Sequence, residues 1–166
     1  AALHRLAPPD APRNPWRGIP LAGERDRITR GAIDRLDGID RDEVLARWQR
    51  FLAVPGWDRP PVWLHGDPHP GNVVVHEGRI AAVVDFGDIT SGDPASDLAV
   101  AWMHFDADAR AAFRQACGDV DDHTWQRAHG WALALGLVIG ASSADNPAYA
   151  ALARRTIAAA LDEPGP

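Results

Sequence analysis

Lysine is absent from this chain of 166 residues, whose 17 basic side chains are all arginine. The chain also lacks a Gly-x-Gly-x-x-Gly pattern, with which many proteins bind nucleotide phosphates. Its single cysteine, Cys117, excludes an intrachain disulfide and is typical of a reducing, cytoplasmic compartment. The longest apolar run, residues 131–141, is too short to span a bilayer and predicts a buried helix.

The charge balance of the chain is acidic. A formal net charge of −6 at pH 7 argues against nucleic acid as a partner, because proteins that bind it present basic patches. The same charge is compatible with a cationic small molecule. An apolar fraction of 46% and seven Trp residues predict one domain with a substantial core. A chain of this length buries roughly 70% of its unfolded surface.

Three polar side chains have a spacing that points to chemistry. Asp67 and Asn72 lie within the sequence His-Gly-Asp-Pro-His-Pro-Gly-Asn of residues 65–72, and Asp85 follows a short apolar run. Phosphoryl transfer from ATP needs a carboxylate that takes a proton from the attacking hydroxyl. It also needs an amide and a second carboxylate that hold magnesium. The spacing therefore predicts Asp67 as the base and Asn72 and Asp85 as Mg²⁺ ligands.

The chain resembles the aminoglycoside phosphotransferase family at these residues. The catalytic loop of that family has the sequence pattern His-Gly-Asp-x-His-x-x-Asn. Residues 83–88 resemble the metal loop of the family, and residues 92–99 resemble the segment that follows it. The resemblance extends more loosely over the whole chain, including residues 13–18 and the helix of residues 125–140. Pro68 departs from the pattern, because an apolar residue such as Leu is usual there. The resemblance implies an ATP-dependent enzyme that phosphorylates a hydroxyl of a small molecule, with an aminoglycoside-type antibiotic as the first expectation.

The resemblance also implies roles for neighbouring side chains. His69 lies where protein kinases place a catalytic-loop lysine and is expected to donate a hydrogen bond to the transferring phosphoryl group, with a surface histidine as the alternative. His65 is expected to brace the loop by packing and hydrogen bonding. Asp97 is expected to hydrogen-bond the loop backbone from beneath, which would fix the geometry of the site. Asp93 is expected to cap the helix that carries Asp97.

Further acidic residues are candidates for binding the acceptor. An aminoglycoside carries several ammonium groups, so carboxylates that line the cleft would pair with them. For each of these residues, an ordinary solvated surface position is the alternative. The candidates are Asp88, Asp106, Asp108, Asp119, Asp121 and Asp122.

The predicted fold class is α+β and mostly helical, the C-terminal lobe of a protein-kinase-like enzyme. A short buried hairpin, with strands at 73–76 and 80–84, is expected to carry the catalytic and metal loops. Helices are expected at about 26–36, 40–53, 93–104, 108–116, 122–141 and 146–161. The resemblance implies that residues 1–166 form one domain without the N-terminal ATP-binding lobe. That lobe would be the partner of this one, and this part alone is expected to have little turnover. A truncated form, which the missing initiator Met favours, and a natural half-enzyme both stay open.

Three other functions stay open. The acceptor of a kinase of this family can be choline, homoserine, a fructosamine or a macrolide instead. A non-catalytic binding module is the second alternative, although the complete set of Asp67, Asn72 and Asp85 argues against it. The third is a metal-dependent hydrolase with His65, Asp67 and His69 as ligands. It leaves Asn72 and Asp85 without a role.

Overall fold

The structure is a computed structural model that describes residues 3–143, 145–163 and 165–166. Helices dominate the described chain. They are α1 (Asp26–Arg35), α2 (Arg41–Leu52), α3 (Ala95–Leu98), α4 (Val100–His104), α5 (Ala107–Ala116), α6 (Asp122–Ser142) and α7 (Pro147–Asp162). The strands are β1 (Val62–Leu64), β2 (Val73–His76), β3 (Arg79–Val83) and β4 (Thr90–Gly92). The prediction of a mostly helical α+β protein is confirmed.

The hydrophobic core lies around α6, which packs against α7, α3, α1 and α2. Trp131, Leu133 and Leu137 of α6 have no exposed surface, and the same holds for Trp48 and Phe51 of α2. The last two residues lie three positions apart, so one face of α2 is buried against the longer helix. None of the described helices combines the length and apolarity that crossing a membrane requires.

Side-chain caps set the beginnings of several helices. The predicted cap at Asp40 is confirmed, since its carboxylate accepts a hydrogen bond from Glu43 N at 3.0 Å. Asp93 Oδ1 accepts from Ala95 N at 3.0 Å, as expected for the start of α3. The single helix predicted at 93–104 is interrupted at Ala99, which separates α3 from α4.

The strands form two small antiparallel sheets. β2 pairs with β3 as a hairpin in which Val73 lies opposite Val83, and β1 pairs with β4, a strand that the sequence did not predict. The expectation that the hairpin is buried was wrong. Val75 and Ile80 are both 62% exposed, because no described element covers the faces of this two-stranded sheet. The hairpin therefore brings the start of β2 next to the end of β3, but it is not part of the hydrophobic core.

Candidate active site

The loop of residues 65–72 is fixed from beneath by a buried carboxylate. Asp97 of α3 is 5% exposed, and its two oxygens accept hydrogen bonds from His65 N at 2.8 Å and Gly66 N at 3.0 Å. Gly66 has φ +88°, and a Cβ at this position would collide with the carbonyl oxygen of Asp88. Only glycine fits such a backbone contact. The loop consequently lies directly against the turn that contains Asp88.

His65 connects the loop to the end of β3. Its buried ring donates from Nε2 to Val84 O at 3.0 Å, and Nδ1 accepts from Asp67 N at 3.2 Å. The ring also packs against Phe86, with 4.5 Å between ring centroids. Both ring nitrogens are engaged in hydrogen bonds with the chain, so this histidine braces the loop geometrically.

Asn72 and Asp85 lie next to each other at one end of the hairpin. The backbone amide of Val84 donates to Asn72 O at 2.9 Å, and Asp85 is the next residue. The side-chain Nδ2 of Asn72 donates to Asp67 O at 2.9 Å. Asp85 has a left-handed backbone with φ +62°, a region that Asp adopts more readily than most non-glycine residues, and its Oδ1 accepts a hydrogen bond from Gly87 N at 3.4 Å. The pairing of the hairpin strands thus brings the backbones of Asn72 and Asp85 close together.

Asp67 lies between a guanidinium and an imidazole. Its Oδ1 accepts a hydrogen bond from Arg17 Nη2 at 3.3 Å, and its Oδ2 lies 3.6 Å from His69 Nε2. His69 Nδ1 accepts from Gly71 N at 2.9 Å, which leaves Nε2 as the nitrogen that carries the hydrogen in the neutral ring. The ring of Tyr149 meets His69 edge-on, with centroids 5.8 Å apart. The Asp67 side chain remains 31% exposed, so it is open to a ligand.

The oxygens of Asn72 and Asp85 suit a hard cation. Magnesium is usually bound through one or two carboxylates together with waters and substrate phosphates, and an amide oxygen is also a suitable donor. Among the described residues, no group of three or more His, Cys, Asp or Glu side chains is arranged to hold a metal. A cation at this hairpin end therefore depends on oxygens that come from a nucleotide or from water.

The ligand cluster of a metal-dependent hydrolase does not fit the geometry. His65 would have to be a ligand in such a cluster, yet its two ring nitrogens are bonded to Val84 O and Asp67 N. A histidine ligates a metal through an unprotonated ring nitrogen. Neither nitrogen of His65 is available without breaking the contacts that hold the loop.

The predicted acidic candidates fall into two groups. Asp88 belongs to the site, because its Oδ2 lies 4.0 Å from Arg17 Nη2 and its Oδ1 accepts from Asn14 Nδ2 at 3.3 Å. The other five show no described contact with Asp67. They are Asp106, Asp108, Asp119, Asp121 and Asp122.

Helix capping accounts for two of these five. Asp106 accepts from Ala109 N at 2.9 Å and begins α5, and Asp121 accepts from Thr124 N at 2.8 Å and begins α6. Burial would raise the pKa of Asp121, but the hydrogen bonds from Thr124 and the guanidinium of Arg59 hold that pKa below its usual value. Asp106 and Asp121 thus have a structural role as helix caps.

Three residues at the site had no role assigned from the sequence. Arg17 and Tyr149 contact Asp67 and His69 as described above, and His104 Nε2 donates to Pro68 O at 3.4 Å. Burial lowers the pKa of His104, so its ring is the neutral form at physiological pH. Arg17 fell within a stretch of loose family resemblance, whereas no signal in the sequence pointed to Tyr149.

An apolar cavity of about 280 Å³ adjoins the loop beneath the hairpin. Its lining includes Pro68, Val83, Leu98 and Phe105. A larger and more polar cavity of about 390 Å³ lies around Trp57 and contains none of the residues of the 65–72 loop. The polar groups that converge on Asp67 therefore identify the site better than cavity size does.

Comparison with models of known protein families places the chain in one of them. The model of APH, described as the phosphotransferase enzyme family, matches residues 1–131. The chain therefore belongs to the phosphotransferase enzyme family, and the family expected from residues 65–72 and 83–99 is confirmed.

Among solved structures, the chain is similar to the macrolide 2'-phosphotransferase MphH from Brachybacterium faecium, in its apoenzyme form. The two are 23% identical with a TM-score of 0.49, and the alignment covers 86% of this chain and 48% of that chain. The chain thus spans about half the length of that macrolide phosphotransferase. No curated protein matches the chain.

Proposed function

We propose that this chain carries the catalytic part of an ATP-dependent phosphotransferase that phosphorylates a hydroxyl group of a small molecule. The observation that supports it is the meeting of Asn72 and Asp85 at the end of one hairpin, with Asp67 on the adjoining loop. This is a base beside two oxygen donors for magnesium, the set of groups that phosphoryl transfer requires.

Asp67 acts as the base in this proposal. Its Oδ1 is bonded to Arg17, so Oδ2 is the oxygen that receives the acceptor hydroxyl and takes its proton. The proton moves late, because a loose transition state asks mainly for positioning of the attacking oxygen. Oδ2 lies 3.6 Å from His69 Nε2, which carries a hydrogen and donates it to an oxygen of the transferring phosphoryl group.

Asn72 and Asp85 would hold Mg²⁺ through their side-chain oxygens. When bound there with ATP, the ion would neutralise charge on the phosphates and orient them. The hydrogen bond from Asn72 Nδ2 to Asp67 O orients the Asn72 amide, and the hydrogen bond from Gly87 N to Asp85 Oδ1 orients the carboxylate, before the nucleotide arrives. Preformed donors act without reorganisation during the reaction.

An N-terminal lobe of the same enzyme is the partner in this proposal, and residues 1–166 are the C-terminal lobe. Large apolar side chains are exposed along the hairpin and the turn after it, and such a patch marks an interaction surface. They include Val75, Ile80, Val84, Phe86 and Ile89. The adenine ring and the N-terminal lobe would cover this patch, so residues 1–166 alone are expected to turn over little substrate.

The acceptor is an aminoglycoside-type antibiotic in the first instance. A second class, a less cationic hydroxyl compound such as a macrolide, is favoured by two contacts. Asp88 is already engaged with Arg17 and Asn14, and the exposed aromatic ring of Tyr149 lies against His69. A site with fewer free carboxylates and an aromatic wall suits an acceptor with apolar surface.

The test measures ADP release from Mg-ATP by the intact protein, in which residues 1–166 are joined to the N-terminal lobe, with a panel of aminoglycosides, macrolides, choline and homoserine. Acceptor-dependent release is expected, and Asp67→Asn is expected to lower it by about 10²- to 10⁴-fold, the usual contribution of a general base. Asp34→Asn, a change at an exposed position of α1, is the matched control and should keep the wild-type rate. Full activity in Asp67→Asn, or no release with any acceptor, would overturn the proposal.

A further inference from the structure

The segment of residues 12–18, here called the Arg17 arm, is fastened along β4. Hydrogen bonds connect the arm to β4 and to Asp93, the residue after it. Three of them are donated by backbone amides, namely Asn14 N to Thr90 Oγ1 at 2.7 Å, Ser91 N to Pro12 O at 3.0 Å and Asp93 N to Gly18 O at 3.0 Å. Because β4 directly follows the turn of residues 85–88, the arm is fixed beside that turn.

Backbone packing holds the end of the arm even more closely. Gly18 has φ +66°, and a Cβ on Gly92 would collide with the carbonyl group of Gly18. Two glycines are therefore needed for the arm to lie directly on β4. On the other side, the buried guanidinium of Arg25 donates to Trp16 O and stacks on the ring of Trp131 at 4.3 Å. The arm is thus anchored to both β4 and α6.

The arm places one guanidinium between two carboxylates. Arg17 Nη2 lies 3.3 Å from Asp67 Oδ1 and 4.0 Å from Asp88 Oδ2, and Asp88 is in turn held by Asn14 Nδ2 at 3.3 Å. The Arg17 side chain is 21% exposed, and within the described residues its buried Nε has no hydrogen-bond partner. The described polar contacts of the guanidinium are therefore those of Nη2 with Asp67 and Asp88.

We propose that Arg17 is a positioning residue for phosphoryl transfer, an inference that rests on the function proposed above. By holding Oδ1 of Asp67, it stops the carboxylate from rotating and presents Oδ2 to the acceptor hydroxyl. Asp88 takes part through its own ion pair with the same nitrogen of Arg17, Nη2. The planar, fixed donors of a guanidinium suit this task better than an ammonium group does.

The contacts of the arm separate this role from a merely structural one. The three hydrogen bonds with β4 and the contact between Gly18 and Gly92 do not involve the Arg17 side chain. Shortening that side chain removes none of them. The arm and the fold are therefore expected to survive its replacement, and the effect falls on the orientation of Asp67.

The first experiment compares kcat and KM of the intact wild-type protein with those of Arg17→Met and Arg17→Lys. The substrates are Mg-ATP and the panel acceptor that gives the fastest ADP release. Arg17→Met is expected to lower kcat about 10²-fold with little change in either KM, as misplacement of a reacting group does. Arg17→Lys should recover only a small part. Arg13→Met, on an exposed arginine of the same arm, is the matched control and should behave as wild type.

Chemical rescue tests whether the guanidinium acts through its place at Asp67. In Arg17→Ala, millimolar guanidinium chloride is expected to raise kcat at least tenfold, whereas equal concentrations of urea or sodium chloride should leave kcat unchanged. Thermal unfolding of each variant shows that it is folded.

The outcomes separate this inference from the function on which it rests. Wild-type kcat in Arg17→Met, with activity abolished in Asp67→Asn, would overturn the role of Arg17 and leave the proposed function standing. A loss that guanidinium fails to restore, with a lowered unfolding temperature, would assign Arg17 to structure alone and also overturn it. Activity that survives in Asp67→Asn, or no acceptor-dependent release from the wild type, would overturn both.

Discussion

Replacement of Asp97 tests how the loop of residues 65–72 is held. The carboxylate of Asp97 is 5% exposed and accepts two backbone hydrogen bonds, one from His65 N and one from Gly66 N. Asparagine keeps one oxygen and turns an N–H group towards the other amide, so one of these two bonds is lost. A hydrogen bond to a charged acceptor contributes about 1.5–3 kcal/mol.

Asp97→Asn is therefore expected to lower the free energy of unfolding by about 1.5–3 kcal/mol, the value of one charge-assisted hydrogen bond. Asp97→Ala loses both bonds and should cost about 3–6 kcal/mol on the same basis. A typical domain has only about 5–15 kcal/mol in total, so the asparagine variant is the safer one to measure. It retains a folded protein in which the loop is less firmly held.

The assay is urea denaturation at neutral pH, followed by the fluorescence of the seven Trp residues. Linear extrapolation gives the free energy of unfolding, and an unchanged slope with denaturant shows that the comparison is sound. Asp108→Asn, at an exposed position, is the control and should leave the midpoint where it is. A loss below about 0.5 kcal/mol in Asp97→Asn, the range of ordinary surface substitutions, would refute the reasoning.

Two further predictions concern buried ionisable side chains. Burial lowers the pKa of His129, so the unfolded chain binds its proton first and stability falls as the pH drops below about 6.5, by at most about 1.4 kcal/mol per pH unit. Denaturation at several pH values should show a smaller slope in His129→Gln than in wild type, and exposed His76→Gln should not change it. Arg127→Met leaves Asp93 buried without its partner at 2.7 Å and should cost about 3–5 kcal/mol. Asp93→Asn added to it should recover part of that loss; additive losses in denaturation would contradict the pairing.

The helices were predictable where the signal is local. The apolar side chains of α2 recur on one face, and Asp40 precedes the helix as a cap, so both the element and its start were read correctly from the sequence. Strand β4 was missed because Thr-Ser-Gly has no strand-like composition. It exists through pairing with β1, which is distant in sequence. Such pairings depend on the whole fold and leave no local pattern.

The same distinction explains which residues of the candidate site could be placed near one another from the sequence. Asp67, Asn72 and Asp85 are joined by one hairpin, so their spacing along the chain already describes their proximity. Arg17 and Tyr149 reach the site from remote segments, and only the packing of the arm on β4 and of α7 beside the loop brings them there. The hairpin itself was expected to be buried because β-branched residues are typical of covered strands.

The arrangement of charge separates two tasks at the site. Asp67 and Asp88 share the guanidinium of Arg17, whereas Asp85 lies beside Asn72. Carboxylates grouped in this way repel one another unless cations lie between them. Arg17 supplies a permanent cation on the side of Asp67. The side of Asp85 then retains the negative charge that a divalent cation would need, and in the proposed function Asn72 and Asp85 would hold that cation while Arg17 pairs with Asp67.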